Sequence, residues 1–293
     1  MKRLFTIVSL VVVVTMLATA CGAVSIGGGG VAKAKEGTAL RKIQDRGKII
    51  IGVKYDVPLF GYLNPQTNAV EGFDVAIGKE ITKKIFGDEK KVEWKQAVSK
   101  DRIPFLQQDV VDLVISTMTV NADREKEIDF SNVYYLAGQS LLVPKDSTIK
   151  SIKDIGGKNI CSAKGSTSEA NIRKFAPTAN LILFDSYSEC VTAMAGKRAD
   201  AVSTDDNILV GFASQDKNLI LVGGQFTAEP YGIGIKKGSS ELQQLVNDVL
   251  KSLKTSGKWK ELYKKEIGDK AGTTAPEPPI DDWREIQKKA PTP

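Results

Sequence analysis

Lys48-Ile49-Ile50-Ile51-Gly52-Val53, followed further on by Asp74-Val75-Ala76-Ile77-Gly78-Lys79-Glu80-Ile81-Thr82-Lys83-Lys84-Ile85-Phe86, decides the fold class. The first stretch is a short uninterrupted apolar run, the pattern of a strand covered on both faces. The second is helical in period, with Val75, Ile77, Ile81 and Ile85 on or near one face. The alternation then repeats down the chain. Leu113-Val114-Ile115 is another buried strand, and Asn159-Ile160-Cys161 the next. A helix near Glu169 to Phe175, Leu181-Ile182-Leu183, a helix around Tyr187 to Ala195, Asp200-Ala201-Val202 and Leu219-Ile220-Leu221-Val222 continue it. Leu242, Leu245, Val246, Val249, Leu250 and Leu253 keep the i, i+3, i+4, i+7 spacing of an amphipathic helix. Strands alternating with helices predict an α/β fold with mostly parallel sheets.

The 293 residues include 41 Lys and Arg, 35 Asp and Glu and no histidine, for a net charge of +6. This length suits one large or two medium domains, and 42% hydrophobic residues are enough to fill their cores. The absence of histidine excludes Ser-His-Asp and Cys-His nucleophiles, histidine-ligated zinc and an imidazole base. The charge excess is interspersed, with no basic run beyond the first residues, which argues against a nucleic-acid partner. There is no Walker sequence, no dinucleotide-type glycine pattern and no metal-type cysteine cluster, so neither cofactor nor metal is expected.

Lys2 and Arg3 precede an apolar run from Leu4 to Val14 and then small residues up to Cys21. This describes a secretory signal over residues 1–20, with an uncleaved anchor helix as the alternative. Small residues before a lone cysteine resemble a lipoprotein processing site, which implies lipidation of Cys21. The pattern departs in having Ala18 where leucine is preferred, with Leu17 one step earlier. Residues 21–39, with Gly27 to Gly30 in a row, then read as a flexible tether. The expectation is an extracytoplasmic protein, lipid-anchored to the cell membrane. In that oxidising setting Cys161 and Cys190 are expected to form a disulfide, two buried thiols being the alternative. Residues 269–293 carry five of the 11 prolines and read as an extended or disordered arm.

Gly72-Phe73-Asp74-Val75-Ala76-Ile77-Gly78-Lys79-Glu80-Ile81 resembles the signature of extracellular solute-binding proteins, family 3, which deliver polar amino acids to ABC importers. The family usually has Asp or Glu where Ala76 stands. Further matching stretches follow in order: Asp112 to Thr119, Arg124, Asp129-Phe130-Ser131, Tyr134-Tyr135, Gly165-Ser166-Thr167, Asp200 to Asp206 and Pro230 to Gly234. The resemblance spans about residues 40 to 268. Lys54-Tyr55-Asp56, Arg102-Ile103-Pro104 and the cysteine pair look most like glutamate-binding lipoproteins of Gram-positive bacteria. It implies a type II clamp: residues 40–138 plus 232–268 as one lobe, 139–231 as the other, with two hinge crossings between them.

The same resemblance implies the site. Arg124 matches the arginine that grips the α-carboxylate, a planar fork suited to two oxygens. Ser116, Thr117 and Thr119 add hydroxyl or backbone donors. Asp205 matches the ammonium-binding carboxylate, although it or Asp206 could cap the next helix instead. Ser166-Thr167-Ser168-Glu169 has the form of a capping box, and its helix N-terminus would aim Ser166, Thr167 and free N–H groups into the cleft. Lys54 and Arg102 stand where acidic amino-acid binders meet the distal carboxylate. Tyr55, Phe60 and Tyr231 are candidates for the apolar wall. These residues imply an acidic amino acid, glutamate or aspartate, as ligand, with glutamine or asparagine left open. An ABC permease is the implied partner and a monomer the implied state. A sensing module on the same fold is a further alternative. A lyase built on this fold would need a base that this set does not offer, so no enzymatic activity is expected.

Overall fold

The structure is a computed structural model, and it describes residues 31–291. The stretch expected to be a signal, Cys21 and Gly27 to Gly30 lie outside the described residues.

Two five-stranded sheets carry the molecule. In the first, the order is Val92–Gln96, Ile49–Val53, Leu113–Val114, Gly234–Ile235 and Asp129–Phe130. In the second it is Asn180–Phe184, Asn159–Ala163, Ala201–Asp205, Gln139–Pro144 and Leu219–Val222. The first three strands of each sheet run parallel, and the fourth runs antiparallel to both its neighbours. The sheets are therefore mixed rather than mostly parallel. The reason is topological: the antiparallel strand in each is the one the chain enters directly from a crossing between the lobes. The crossings themselves, Tyr135–Ala137 and Glu229–Tyr231, pair as a short antiparallel ladder. Neither the ladder nor the small antiparallel sheet of Asp56–Val57, Gly61–Leu63 and Val70–Glu71 was foreshadowed by periodicity.

The helix Phe73–Phe86 buries Val75, Ile77, Ile81 and Ile85 on the first sheet. Its entry requires glycine: Gly72 has φ +121°, and a Cβ there would sit 2.4 Å from the Phe60 carbonyl oxygen. The helix Ser240–Thr255 buries all six residues of its apolar stripe. Around them Phe60, Phe73, Tyr134, Tyr135, Tyr231, Trp259 and Tyr263 form a continuous aromatic cluster with edge and stacked contacts. The second lobe adds a separate core that includes Leu141, Val143, Ile160, Ile172 and Ala201, while its Tyr187, Cys190, Val202 and Leu209 join the apolar core shared with the first lobe. A disulfide links Cys161 and Cys190, whose Cα atoms are 5.4 Å apart.

Both segments read from sequence as loose are docked where described. Val31 N–H donates to Lys84 O, Ala34 is buried, and Gln44 bonds to the backbone of Ala32 and Ala34. The proline-rich arm runs back along the first lobe. Lys254 Nζ donates to Val133 O, Pro279 O and Asp281. A short helix, Trp283–Gln287, then buries Ile286. Trp283 Nε1 donates to Glu125 at 2.9 Å and Gln287 to Ala228 O, just before the second crossing, at 2.8 Å. Composition suggested no core for this arm, but one tryptophan and one isoleucine suffice when the surface they meet is already built.

Candidate ligand-binding site

The lobes touch across their cleft. Lys100 pairs with Asp185 at 2.6 Å, and Asp56 accepts from the N–H groups of Tyr187 and Ser188, capping the second-lobe helix Tyr187–Ala195 from the first lobe. The side chains at issue lie at strand ends and helix starts facing this cleft, where loops leave the sheet.

Lys54 follows the strand Ile49–Val53 and is 0% exposed. Its Nζ donates to Ser99 Oγ at 2.8 Å and lies 5.5 Å above the Tyr187 ring. Burial, and then the charge of Arg102, push this ammonium down to about 7. Arg102 opens the helix Arg102–Gln107 and is 2% exposed; it donates to the carbonyl oxygens of Ser99, Ser116 and Thr117 at 3.2, 2.9 and 3.1 Å. Burial lowers its affinity for its proton. Arg124 lies in the helix Ala122–Glu127, whose cap Asn121 accepts from the Arg124 N–H. Its guanidinium, half-buried, donates to Thr119 O at 2.7 Å and, from the other lobe, to Gly165 O at 3.2 Å. Burial followed by Arg102 pushes it down to about 9, leaving it charged at neutral pH.

From the second lobe, Asp205 ends the strand Ala201–Asp205 and is 3% exposed. Tyr231, on the second crossing, places its hydroxyl 2.6 Å from Asp205 Oδ2, while Oδ1 is buried without a hydrogen-bond partner among the described residues. Burial, reinforced by the charge of Glu229, holds this carboxyl well above the usual range. A cationic donor at Oδ1 would reverse that shift. Asp205 occupies the cap position of the following helix yet makes no capping bond. Asp206 accepts instead from Gly138 N–H and from Gln225, tying the ends of the two crossings together.

Ser166 caps the helix Thr167–Phe175 by accepting from Glu169 N–H, and its own hydroxyl donates to Ala163 O. The reciprocal half of the box goes one residue astray, since Glu169 accepts from Gly165 N–H. Thr167 Oγ1 is 3.3 Å from Thr119 Oγ1, and the Thr119 hydroxyl donates to Glu229 at 2.7 Å. Ser116 donates to Ala97 O, and Thr117, at φ +43°, gives its N–H to Asp74. The structure thus gathers Lys54, Arg102, Arg124, Thr119, Thr167, Asp205 and Tyr231 around one cleft. Tyr55 is not among them: its hydroxyl donates to Trp94 O on the neighbouring strand. Phe60 belongs to the aromatic core.

Several residues at the cleft escaped the sequence reading. Asp74, 0% exposed, accepts from Tyr134 OH at 2.7 Å and from Thr117 N–H, and burial raises it to about 6. Glu229 accepts from Thr119, Thr227 and Asn171, and Asn171 also donates to Gln139. An acid directly before Pro230 and a polar residue on each crossing were the available signals. Nothing in the spacing linked Tyr187 to Lys54.

A cleft between two α/β lobes, closed by two crossings and lined by cations on one side and a carboxylate on the other, defines a hinged small-molecule receptor. Family comparison makes this specific: residues 49–269 match the bacterial extracellular solute-binding proteins, family 3, and the chain belongs to that family. The chain is 46% identical over 268 residues to the ABC transporter glutamine-binding protein GlnH of Bacillus subtilis, covering 91% of this chain and 98% of that one. It is 32% identical to the glutamate-binding protein GluB of Corynebacterium glutamicum, with 92% of each covered. Among solved structures, the cysteine-binding protein of Campylobacter jejuni superposes with a TM-score of 0.78 at 27% identity, over 82% of this chain and 97% of that one. The protein is thus a solute-binding component of an amino-acid ABC importer, not an enzyme, and its fold is the two-lobe type II clamp. No helix among the described residues is long and apolar enough to cross a membrane.

Proposed function

We propose that the cleft binds glutamate, with glutamine as the second reading. The α-carboxylate lies against Arg124, with Thr119 and Thr167 beside it; the ammonium group meets Asp205, and the side-chain end meets Lys54 and Arg102. One observation carries this reading. The three cleft cations donate to hydroxyl or carbonyl oxygens, and none forms an ion pair with a carboxylate among the described residues. Buried cations without counter-charges are costly, and a ligand with two carboxylates offsets that cost. The nearby carboxylates, Asp74 and Glu229, already accept from hydroxyl, amide or backbone donors. Glutamine is kept because the GlnH relative, at 46% identity, is named for it, while the glutamate-binding relative stands at 32%.

The loaded, closed form is the species offered to the permease, and the receptor acts as a monomer held outside the membrane by a lipid on Cys21. Calorimetric titration of the mature chain, freed of carried-over ligand, with glutamate, aspartate, glutamine and arginine tests the ligand. Micromolar or tighter binding of glutamate, about −8 kcal/mol or more, is expected. Tight binding of arginine with none of glutamate or glutamine would overturn the assignment.

A further inference from the structure

We propose that Lys54 selects between anionic and neutral side chains through its own protonation, so that the ratio of glutamate to glutamine binding falls as pH rises. This rests on the reading that the ligand's side-chain end meets Lys54.

The ammonium is sealed from solvent, with one neutral hydrogen-bond partner, Ser99 Oγ, and one aromatic face, Tyr187 of the second lobe. No carboxylate lies within ion-pair distance of it among the described residues. The charged and titratable groups facing it come from every element around it. Asp56 follows it in the chain and is engaged by two helix N–H groups. Asp74, from the helix Phe73–Phe86, is bound by Tyr134 and Thr117. Arg102 and Arg124 face it from two further helices, and Tyr187 from the second lobe. The two arginines oppose its charge and the two aspartates support it, with burial outweighing all four and placing its titration about 7. The chain has no histidine, so this amine takes the place such a switch ordinarily has.

A side-chain carboxylate brought beside Lys54 stabilises its charged form. Above pH 7 the neutral amine must therefore take up a proton when glutamate binds, and affinity falls by up to tenfold per pH unit. Glutamine brings no net charge to that end, and either form of the amine can hydrogen-bond its amide. Its affinity lacks this dependence on Lys54, while the contribution of Asp205 beneath the ammonium is common to both ligands.

The test is calorimetric titration of the mature chain with glutamate and with glutamine at pH 6.0 and 8.5, in two buffers of different ionisation enthalpy. Asp205 meets the ammonium of either ligand, so its proton exchange is common to both titrations; the expected result is uptake of about one proton more with glutamate than with glutamine at pH 8.5, together with a glutamate-to-glutamine affinity ratio at least tenfold lower than at pH 6.0. Lys54→Met should lose glutamate selectively and keep glutamine. Lys54→Arg, where it folds, should bind glutamate with a glutamate-to-glutamine affinity ratio that does not change over this range. Equal proton uptake with the two ligands and a glutamate-to-glutamine affinity ratio that is the same at both pH values overturn the inference while leaving the ligand assignment standing. So does a Lys54→Met variant that binds glutamate as wild type does; its persistent proton uptake would point to Asp74. Failure of both ligands to bind at either pH instead removes the reading on which the inference rests, and the inference with it.

Discussion

The two lobes share a strand order and differ in nearly everything laid upon it. The first has a thick aromatic core and contributes Lys54, Arg102 and Arg124 to the cleft. The second carries the Cys161–Cys190 disulfide, and contributes Asp205, hydroxyls and the start of the helix Thr167–Phe175. The three cations of the cleft thus all come from the first lobe, and closure brings Asp205 to them. The like-charge repulsion lies within that lobe: Arg102 lowers the proton affinity of both Lys54 and Arg124. Among the described residues a covalent cross-link is present in the second lobe and not in the first.

That contrast can be broken at its largest by removing the staple. The bridge spans 29 residues, and in the chain-entropy model its loss costs about 3.6 kcal/mol. Cys161→Ala with Cys190→Ala should make the second lobe melt first, resolving calorimetric unfolding into two transitions; a single transition shifted as a whole would mean that the lobes are one cooperative unit. Next comes the first lobe's principal grip. Arg124→Ala should cost about 3 kcal/mol, more than a hundredfold in ligand affinity, with little change in melting temperature, because Arg124 is half-buried and its own bonds go to carbonyls. Retained tight binding would show that the charge division between the lobes is irrelevant to recognition. The smallest effect concerns the arm. Trp283 and Arg284 both hold Glu125, the residue next to Arg124. Trp283→Ala should therefore weaken ligand binding by about 1 kcal/mol, less than the roughly 1.5–3 kcal/mol of a hydrogen bond to a charged group because Glu125 acts on the ligand only through Arg124, and speed amide exchange over residues 122–127. Unchanged exchange there would make the arm a mere covering.

The contrast was only half legible in the sequence. Apolar runs such as Ile49 to Val53 and stripes such as Leu242 to Leu253 announce strands and helices because burial imposes their period. Arg124 and Asp205 could be named from the sequence because each lies in a stretch that resembles the family pattern, Asp205 at the end of a buried strand. Asp74, Glu229 and Tyr187 were not, since a buried acid tied to a tyrosine or an asparagine depends on partners 60 and 58 residues away. The antiparallel fourth strand in each sheet also left no periodic trace, because its direction is set by the crossings and not by its own residues. The docked arm was read as loose for a related reason: proline content describes what a segment cannot do alone, whereas Trp283 and Ile286 act on a surface supplied by others.

The course of the chain has one further consequence. Val31 and Lys254's partner Asp281, near the two described ends, both rest on the first lobe, while the chain enters the second lobe once and leaves it once through paired crossings. The second lobe is therefore a single uninterrupted cassette of sequence. A recombination event with two breakpoints, one in each crossing, would exchange the carboxylate half of the cleft while leaving its three cations in place. The two halves of the receptor's chemistry can be inherited, and engineered, as separate modules.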